Sequence, residues 1–329
     1  MKKLTKWIAI ILTLVVVIAI AGLSYINYAL PNVGDPENIT VQLTPQRIAR
    51  GKYLANHVAV CVDCHSPRDF SKFAGPIDTA YIGVGGDKFD QSIGFPGLVY
   101  VPNITPLNLK SWTDGEIFRA ITTGVKKDGS AIFPIMPWQY YSKMDREDVY
   151  AIIAYMRTLK ADGKNYPAHQ LDFPLNFIVN TMPQPATLSK RPPESDTLKY
   201  GEYLVQIAAC RDCHSQDDKG KLIAGLEFAG GKAFNLPGAT LKSSNITPDK
   251  ESGIGRWTKQ EFVNRFRMYA DSSMSPSAVK PGEFQTIMPW WKYGKMKVTD
   301  LEAMYAYLQT IKPMQNQVVK FQANSIEAK

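Results

Sequence analysis

Cysteine is scarce in this chain: 329 residues hold four, and none lies outside two five-residue strings. Whatever cysteine does here is done in those two places. Blocks of like charge are missing too. No run of Lys or Arg exceeds two residues, although the formal net charge is +8. A basic balance without a basic stripe argues against nucleic-acid binding. The 45% hydrophobic and 21% charged residues are ordinary globular fractions, which excludes disorder, collagen and a many-span membrane protein. The length leaves room for two domains, each with its own core.

The N-terminus sets the compartment. Lys2, Lys3 and Lys6 precede Trp7–Leu23, a run of seventeen apolar or small residues, and no further charge appears until Asp35. From Trp7 to Leu30 a helix would extend about 36 Å at about 1.5 Å per residue, enough for a hydrocarbon core of about 30 Å. Lysines before the span and a large domain after it predict a cytoplasmic N-terminus and an external body. A cleaved signal peptide is the competing reading, since Ala19-Ile20-Ala21 resembles a small-residue cleavage site. Both readings put residues from about 31 onward outside the cytoplasm.

The body is one unit written twice. Gly51-Lys52-Tyr53-Leu54 returns as Gly201-Glu202-Tyr203-Leu204, and Asn103-Ile104-Thr105-Pro106 as Asn245-Ile246-Thr247-Pro248. Trp112-Thr113 returns as Trp257-Thr258, and Ile135-Met136-Pro137-Trp138 as Ile287-Met288-Pro289-Trp290. A stripe of Val149, Ile152, Ile153, Met156 and Leu159 recurs 152 positions later as Leu301, Met304, Tyr305, Leu308 and Ile311. That spacing describes one amphipathic helix occurring twice. Caps are expected at Asp145 with Asp148, and at Thr299 with Glu302. Another helix should open at Thr44-Pro45 and run into Cys61, with a further one after Trp112 and a short strand at Leu98–Val101. The expected divisions are an anchor or signal at 1–30, a first domain at 31–160, a Pro-rich linker at 161–199, a second domain at 200–315 and a tail at 316–329.

The two cysteine strings are Cys61-Val62-Asp63-Cys64-His65 and Cys210-Arg211-Asp212-Cys213-His214. Cys-x-x-Cys-His is the attachment signal for c-type haem. Two thiols one helical turn apart can each add to one haem vinyl group, and the adjacent His then lies under the iron. Zinc would need four clustered ligands. A redox-active pair would need a βαβ context and leaves the His unexplained. Disulfides in an oxidising compartment are the third competitor. Two strings in register within a duplication favour two covalently bound haems c.

For the sixth iron ligand, Met136 and Met288 stand out among eleven methionines, because each precedes a proline that stiffens its loop. Met144 and Met296 also repeat, but they sit where a hydrophobic staple is expected. His57 and His169 read as surface or packing residues. The Asn-Ile-Thr-Pro pairs either close a turn or also donate to haem propionates. With His65/Met136 and His214/Met288 as axial pairs, both irons are six-coordinate, which argues for electron transfer over catalysis.

These residues resemble a pair of class I cytochrome c domains, and more narrowly the cytochrome subunits of membrane-bound periplasmic alcohol, aldehyde and gluconate dehydrogenases. The resemblance rests on the Gly-x-Tyr-Leu, Asn-Ile-Thr-Pro and Met-Pro-Trp repeats, on Gly253-Ile-Gly-x-Trp257-Thr258 and on the closing Ala306–Leu308 helix, and it covers roughly residues 45–312. It implies an all-α fold: an N-terminal transmembrane helix followed by two tandem class I cytochrome c domains. It also implies covalent haem attachment at Cys61, Cys64, Cys210 and Cys213, with His65, Met136, His214 and Met288 on iron and no catalytic residue. Two departures stand out. Those subunits commonly carry three attachment strings and this chain has two, and the first copy has Asn108-Leu109-Lys110-Ser111 in place of Gly-Ile-Gly. The expected protein is a single-pass cytoplasmic-membrane relay with its haem domains on the periplasmic side. It would take electrons from a dehydrogenase or quinol-oxidising complex and pass them to a cytochrome or terminal oxidase. A dihaem peroxidase-like enzyme with one open iron is the alternative.

Overall fold

The computed structural model describes residues 2–218, 220–271 and 274–324. Helix α1 (Lys2–Tyr28) has none of its residues buried, and its length and composition suffice to cross a membrane. The first repeat begins with α2 (Pro45–Tyr53). Thr44 caps it, its Oγ1 accepting the Arg47 N–H at 3.3 Å, and Pro45 occupies the first turn. A π turn, Leu54–Val58, carries the chain to α3 (Cys61–Cys64). Then follow β1 (Lys88–Phe89), β2 (Gly97–Tyr100), α4 (Pro106–Leu109) and α5 (Asp114–Thr123). The repeat closes with α6 (Trp138–Tyr141) and α7 (Arg146–Arg157). Strand β3 (Gln170–Leu171) and α8 (Leu175–Ile178) bridge to the second repeat.

That repeat contains α9 (Thr197–Ile207), α10 (Cys210–Cys213), β4 (Asp217–Asp218), β5 (Lys221–Leu222), β6 (Ala233–Leu236) and β7 (Ala239–Lys242). It ends with α11 (Lys259–Arg267), α12 (Trp290–Tyr293), α13 (Val298–Leu308) and β8 (Phe321–Ala323). Capping boxes start α5 (Thr113 with Glu116) and α11 (Thr258 with Glu261), which is why Trp-Thr recurs at both places.

The all-α expectation describes the elements that carry the motifs, but not the connections between them. Helix accounts for 40% of the chain, and some sheet is present. Strands β1-β2-β3 and β6-β7-β8 each form a small antiparallel sheet, and β4 pairs with β5. In each of the larger sheets a hairpin from inside the repeat takes its third strand from the segment after the repeat's last helix. Gly97 pairs with Leu171, and Leu241 with Phe321. The Pro-rich segment is also held elsewhere. The Thr187 N–H donates to the Ser142 carbonyl at 3.0 Å, and Arg191 Nη1 donates to Asp148 Oδ1 at 2.5 Å.

In each repeat the first helix crosses the last at a glycine. A Cβ on Gly51 would collide with the Ala151 carbonyl, and one on Gly201 with the Ala303 carbonyl. Only glycine lets α2 approach α7, and α9 approach α13, this closely. That contact is the physical content of the Gly-x-Tyr-Leu repeat. A single hydrophobic cluster runs through both repeats, from Leu54, Met144 and Ile152 to Leu204, Met296 and Leu301, all at most 1% exposed. Met144 and Met296 are therefore core residues, as the staple reading expects.

The caps of the two closing helices differ. Asp145 caps α7 by accepting the Glu147 N–H, but α13 starts at Val298 after Lys297, with no side-chain cap. The expected Thr299 cap is absent because the helix begins two residues earlier. Asp148 and Asp300 are drawn into the core instead, at 1% and 0% exposure.

Candidate functional sites

Both cysteine strings adopt the same local geometry. The residue before the first cysteine, Val60 or Ala209, is in the left-handed region at φ 44° and 51°, which turns the chain sharply into a single helical turn. The His65 N–H then donates to the Cys61 carbonyl at 3.0 Å, and the His214 N–H to the Cys210 carbonyl at 2.9 Å. Each turn thus places two thiols on one helical face with an imidazole following directly. The four cysteines are free. Cys64 is the exposed one of the four, and desolvation with the neighbouring Asp63 pushes its thiol up to about 11. Burial likewise pushes Cys61, Cys210 and Cys213 up to about 12. A raised thiol is the opposite of the activation a redox-active pair calls for. Among the described residues, no group of three His, Cys, Asp or Glu side chains is arranged to hold a free metal ion.

The imidazoles are fixed through one nitrogen. His65 Nδ1 lies 2.8 Å from the Pro102 carbonyl and His214 Nδ1 2.7 Å from the Ser244 carbonyl. The carbonyl holds Nδ1 as the protonated nitrogen, so Nε2 presents a lone pair, as an iron-ligating histidine must. Burial depresses the pKa of both rings, which favours the neutral form. Pro102 and Ser244 immediately precede Asn-Ile-Thr-Pro, and this explains the repeated motif. Asn103 Oδ1 accepts the Thr105 N–H at 2.8 Å and its hydroxyl at 2.7 Å, while Asn103 Nδ2 donates to the Asp162 carbonyl. Asn245 and Thr247 repeat the arrangement, with the Asn245 amide donating to Met314. Of the two readings of this motif, the structure displays the turn.

Ser66 and Ser215 were missed from sequence, although each follows its histidine. Both are 0% exposed. Ser66 Oγ accepts the Gly83 N–H at 3.1 Å and Ser215 Oγ the Phe228 N–H at 2.9 Å, tying each site to the loop across it. The signal was their identical place in both copies.

Met136 and Met288 are half-buried against the common core, and each opens a tight turn in which the following Trp N–H donates to the methionine carbonyl at 2.7 Å. Three residues after each Trp, a tyrosine pins the turn that leads into the cysteines. Tyr141 Oη donates to the Ala59 carbonyl at 2.9 Å, and Tyr293 Oη to the Ala208 carbonyl at 3.0 Å. The same short helix therefore links the methionine turn to the cysteine turn. His57 bonds across to the second repeat. Its Nδ1 lies 3.1 Å from the Lys292 carbonyl, and burial holds it down to about 4. His169 is half-buried in the connecting segment.

Reciprocal hydrogen bonds link the two repeats. Tyr53 donates to Asp300 at 2.6 Å and accepts the Lys297 N–H at 3.1 Å. Tyr203 donates to Asp148 at 2.8 Å and accepts the Asp145 N–H at 3.1 Å. The charge balance is asymmetric: Arg50 and Arg191 pair with Asp148, whereas a second tyrosine, Tyr200, lies 3.4 Å from Asp300.

No family model matches the chain. Curated relatives do. The cytochrome c subunit of alcohol dehydrogenase (quinone) from Gluconacetobacter polyoxogenes is 26% identical over 301 residues, covering 87% of this chain and 59% of that protein. The fructose dehydrogenase cytochrome subunit of Gluconobacter japonicus is 29% identical over 230 residues, 65% of this chain and 43% of that protein. A diheme cytochrome c-type protein of Cereibacter sphaeroides is 25% identical over 285 residues, 78% of this chain and 89% of that one.

The chain is a homologue of c-type cytochromes. It spans 59% of the length of the alcohol dehydrogenase subunit. Homology to cytochromes c implies haem c, and the donor set fits it: paired thiols on one turn, an oriented neutral imidazole and a nearby thioether loop.

Proposed function

We propose that this cytochrome c homologue is a membrane-anchored electron relay carrying two covalently attached haems. The observation that carries the reading is the recurrence of one complete site. The cysteine turn, the His Nδ1–carbonyl bond and the Tyr-braced Met-Pro-Trp turn all occur twice with matching hydrogen bonds. Cys61 and Cys64 would tether one haem and Cys210 and Cys213 the other. His65 and Met136 would be the axial pair of the first iron, His214 and Met288 that of the second. When bound, the haem iron supplies a one-electron ferric/ferrous couple. The protein's own contribution is to orient the imidazoles, to hold the thioethers in proline-stiffened turns and to exclude water with the shared core. Soft thioether ligation raises a potential relative to bis-His ligation. The shared core that joins the two repeats would hold both sites in one rigid frame. Helix α1 would hold the body at the outer face of the cytoplasmic membrane. There it would accept electrons from a dehydrogenase or quinol-oxidising complex and deliver them to a cytochrome or terminal oxidase.

Mass spectrometry of the denatured full-length protein should show two haems retained per chain. Cys64→Ala and Cys213→Ala should each leave one haem held by a single thioether. Met136→Ala and Met288→Ala should each lower one potential and open one iron to carbon monoxide. Met144→Leu and Met296→Leu should do neither. Unchanged spectra and potentials in both alanine variants would contradict the ligand assignment.

A further inference from the structure

A single helix through a bilayer leaves the body free to rotate about it, yet the structure gives α1 a companion at its exit. Counting about 20 residues for a hydrocarbon core of about 30 Å, a span starting at Trp7 ends near Ile26. At that level the connecting segment packs on α1. Ile26 is half-buried, and Asn180 Nδ2 donates to its carbonyl at 3.5 Å. Helix α8 and the 3-10 turn Val179–Thr181 both contact α1. From Phe173 to Ser189 the segment carries no charged residue, although charged residues bound it at Asp172 and Lys190.

Its apolar side chains divide between buried and exposed. Val179, in the turn that contacts α1, is 3% exposed. Phe173, at 78%, and Ile178, at 42%, face outward, and Phe173 meets Phe177 edge-on with ring centroids 6.2 Å apart. Tyr25 and Tyr28 on α1 are 62% and 86% exposed at the same level. Exposed aromatics gathered at the end of an apolar span are the composition of a membrane-interface belt. A short uncharged helix beside them matches a segment lying in the headgroup boundary.

We infer that the segment around Phe173–Ile178 is a second membrane contact, seated in the outer headgroup region beside the exit of α1. The occupant is the lipid interface itself, because the patch is continuous with the lipid-facing surface of α1. The inference rests on the reading of α1 as a retained anchor. Two contacts fix the rotation of the body, and with it the face that each cysteine site presents to neighbours in the plane of the membrane.

The test uses the full-length protein in lipid nanodiscs, with a photo-crosslinking benzoylphenylalanine placed at one position at a time and adducts read by mass spectrometry. The positions are Ile18 in α1, Phe173, Ile178, and Phe284, an exposed aromatic whose ring neighbours are Phe73 and Phe321. An unchanged visible spectrum selects folded variants, and Phe173 and Ile178 serve as independent reporters. Lipid adducts at Ile18 and at Phe173 or Ile178, with none above background at Phe284, support the inference. Adducts at Ile18 but at neither segment position overturn it while leaving the anchor standing. No adduct at Ile18 removes the anchor reading and the inference together. Protein adducts at Phe173 in place of lipid, or equal lipid labelling at Phe284, also overturn it.

Discussion

Lys292 shows how much one side chain can matter to a charge-carrying centre. It is 8% exposed, four residues after Met288, and burial brings its pKa down to about 8 against the pull of Asp63. The other charges around it are Arg68 and Lys295, and its carbonyl meets His57. Asp63 lies inside the first cysteine turn, with Arg68 at 3.0 Å. A protonated lysine there disfavours the ferric state, so the potential of the first haem should fall as pH rises through about 8. For one proton per electron the slope is at most about 59 mV per pH unit. Lys292→Met should lower that potential at neutral pH and flatten its pH dependence, measured by potentiometric titration at several pH values. The stability consequence has a definite sign. The unfolded lysine keeps its proton up to its ordinary pKa of 10.5, so between about 8 and 10.5 the unfolded state binds more protons and folding becomes more favourable with rising pH. None of this was legible in the sequence, since position 140 in the first copy is Tyr and the proximity of Asp63 to Lys292 is created by the fold. The ligand candidates were legible because their chemistry is local: both cysteines and the histidine lie within five consecutive residues.

Among the elements, the contact between the first and last helix of each repeat carries the most information. Gly51 and Gly201 have a carbonyl of the opposing helix where a side chain would begin. Gly51→Ala and Gly201→Ala should each destabilise the protein by about 1–3 kcal/mol, the usual cost of overpacking, as read by denaturant midpoint. Gly129→Ala is the control. Nothing lies within 4 Å of its Cβ position, and the cost there should come only from its positive φ. The periodic stripe of α7 and its counterpart in α13 were visible because burial on one face imposes a helical period. The small sheets were not. Their third strands, β3 and β8, are two and three residues long and lie far in sequence from their partners, so no local pattern marks them. The misplaced α13 cap has a similar cause: Asp300, next to the expected cap Thr299, is a buried partner of Tyr53 in the other repeat.

Taken whole, the molecule is less divided than its duplicated sequence suggests. A linker and a tail were expected to flank two tandem domains, yet one hydrophobic cluster joins the repeats and reciprocal Tyr–Asp bonds cross between them. Reciprocity of this kind cannot be read along a chain, because each bond pairs a residue of one copy with the non-equivalent residue of the other. Sequence repetition does predict that the two sites are built alike, and they are. The asymmetries, Lys292 against Tyr140 and the arginines on Asp148 against the tyrosines on Asp300, predict unequal surroundings and therefore two resolvable potentials. The central claim is that both sites hold low-spin, six-coordinate haem with no vacant iron. The measurement that tests it most directly is an optical redox titration of the purified full-length protein, followed by carbon monoxide on the reduced form. Two one-electron steps and a reduced spectrum unchanged by carbon monoxide are the predicted result. A haem that binds carbon monoxide readily and turns over peroxide would contradict the relay and point to a dihaem peroxidase-like enzyme.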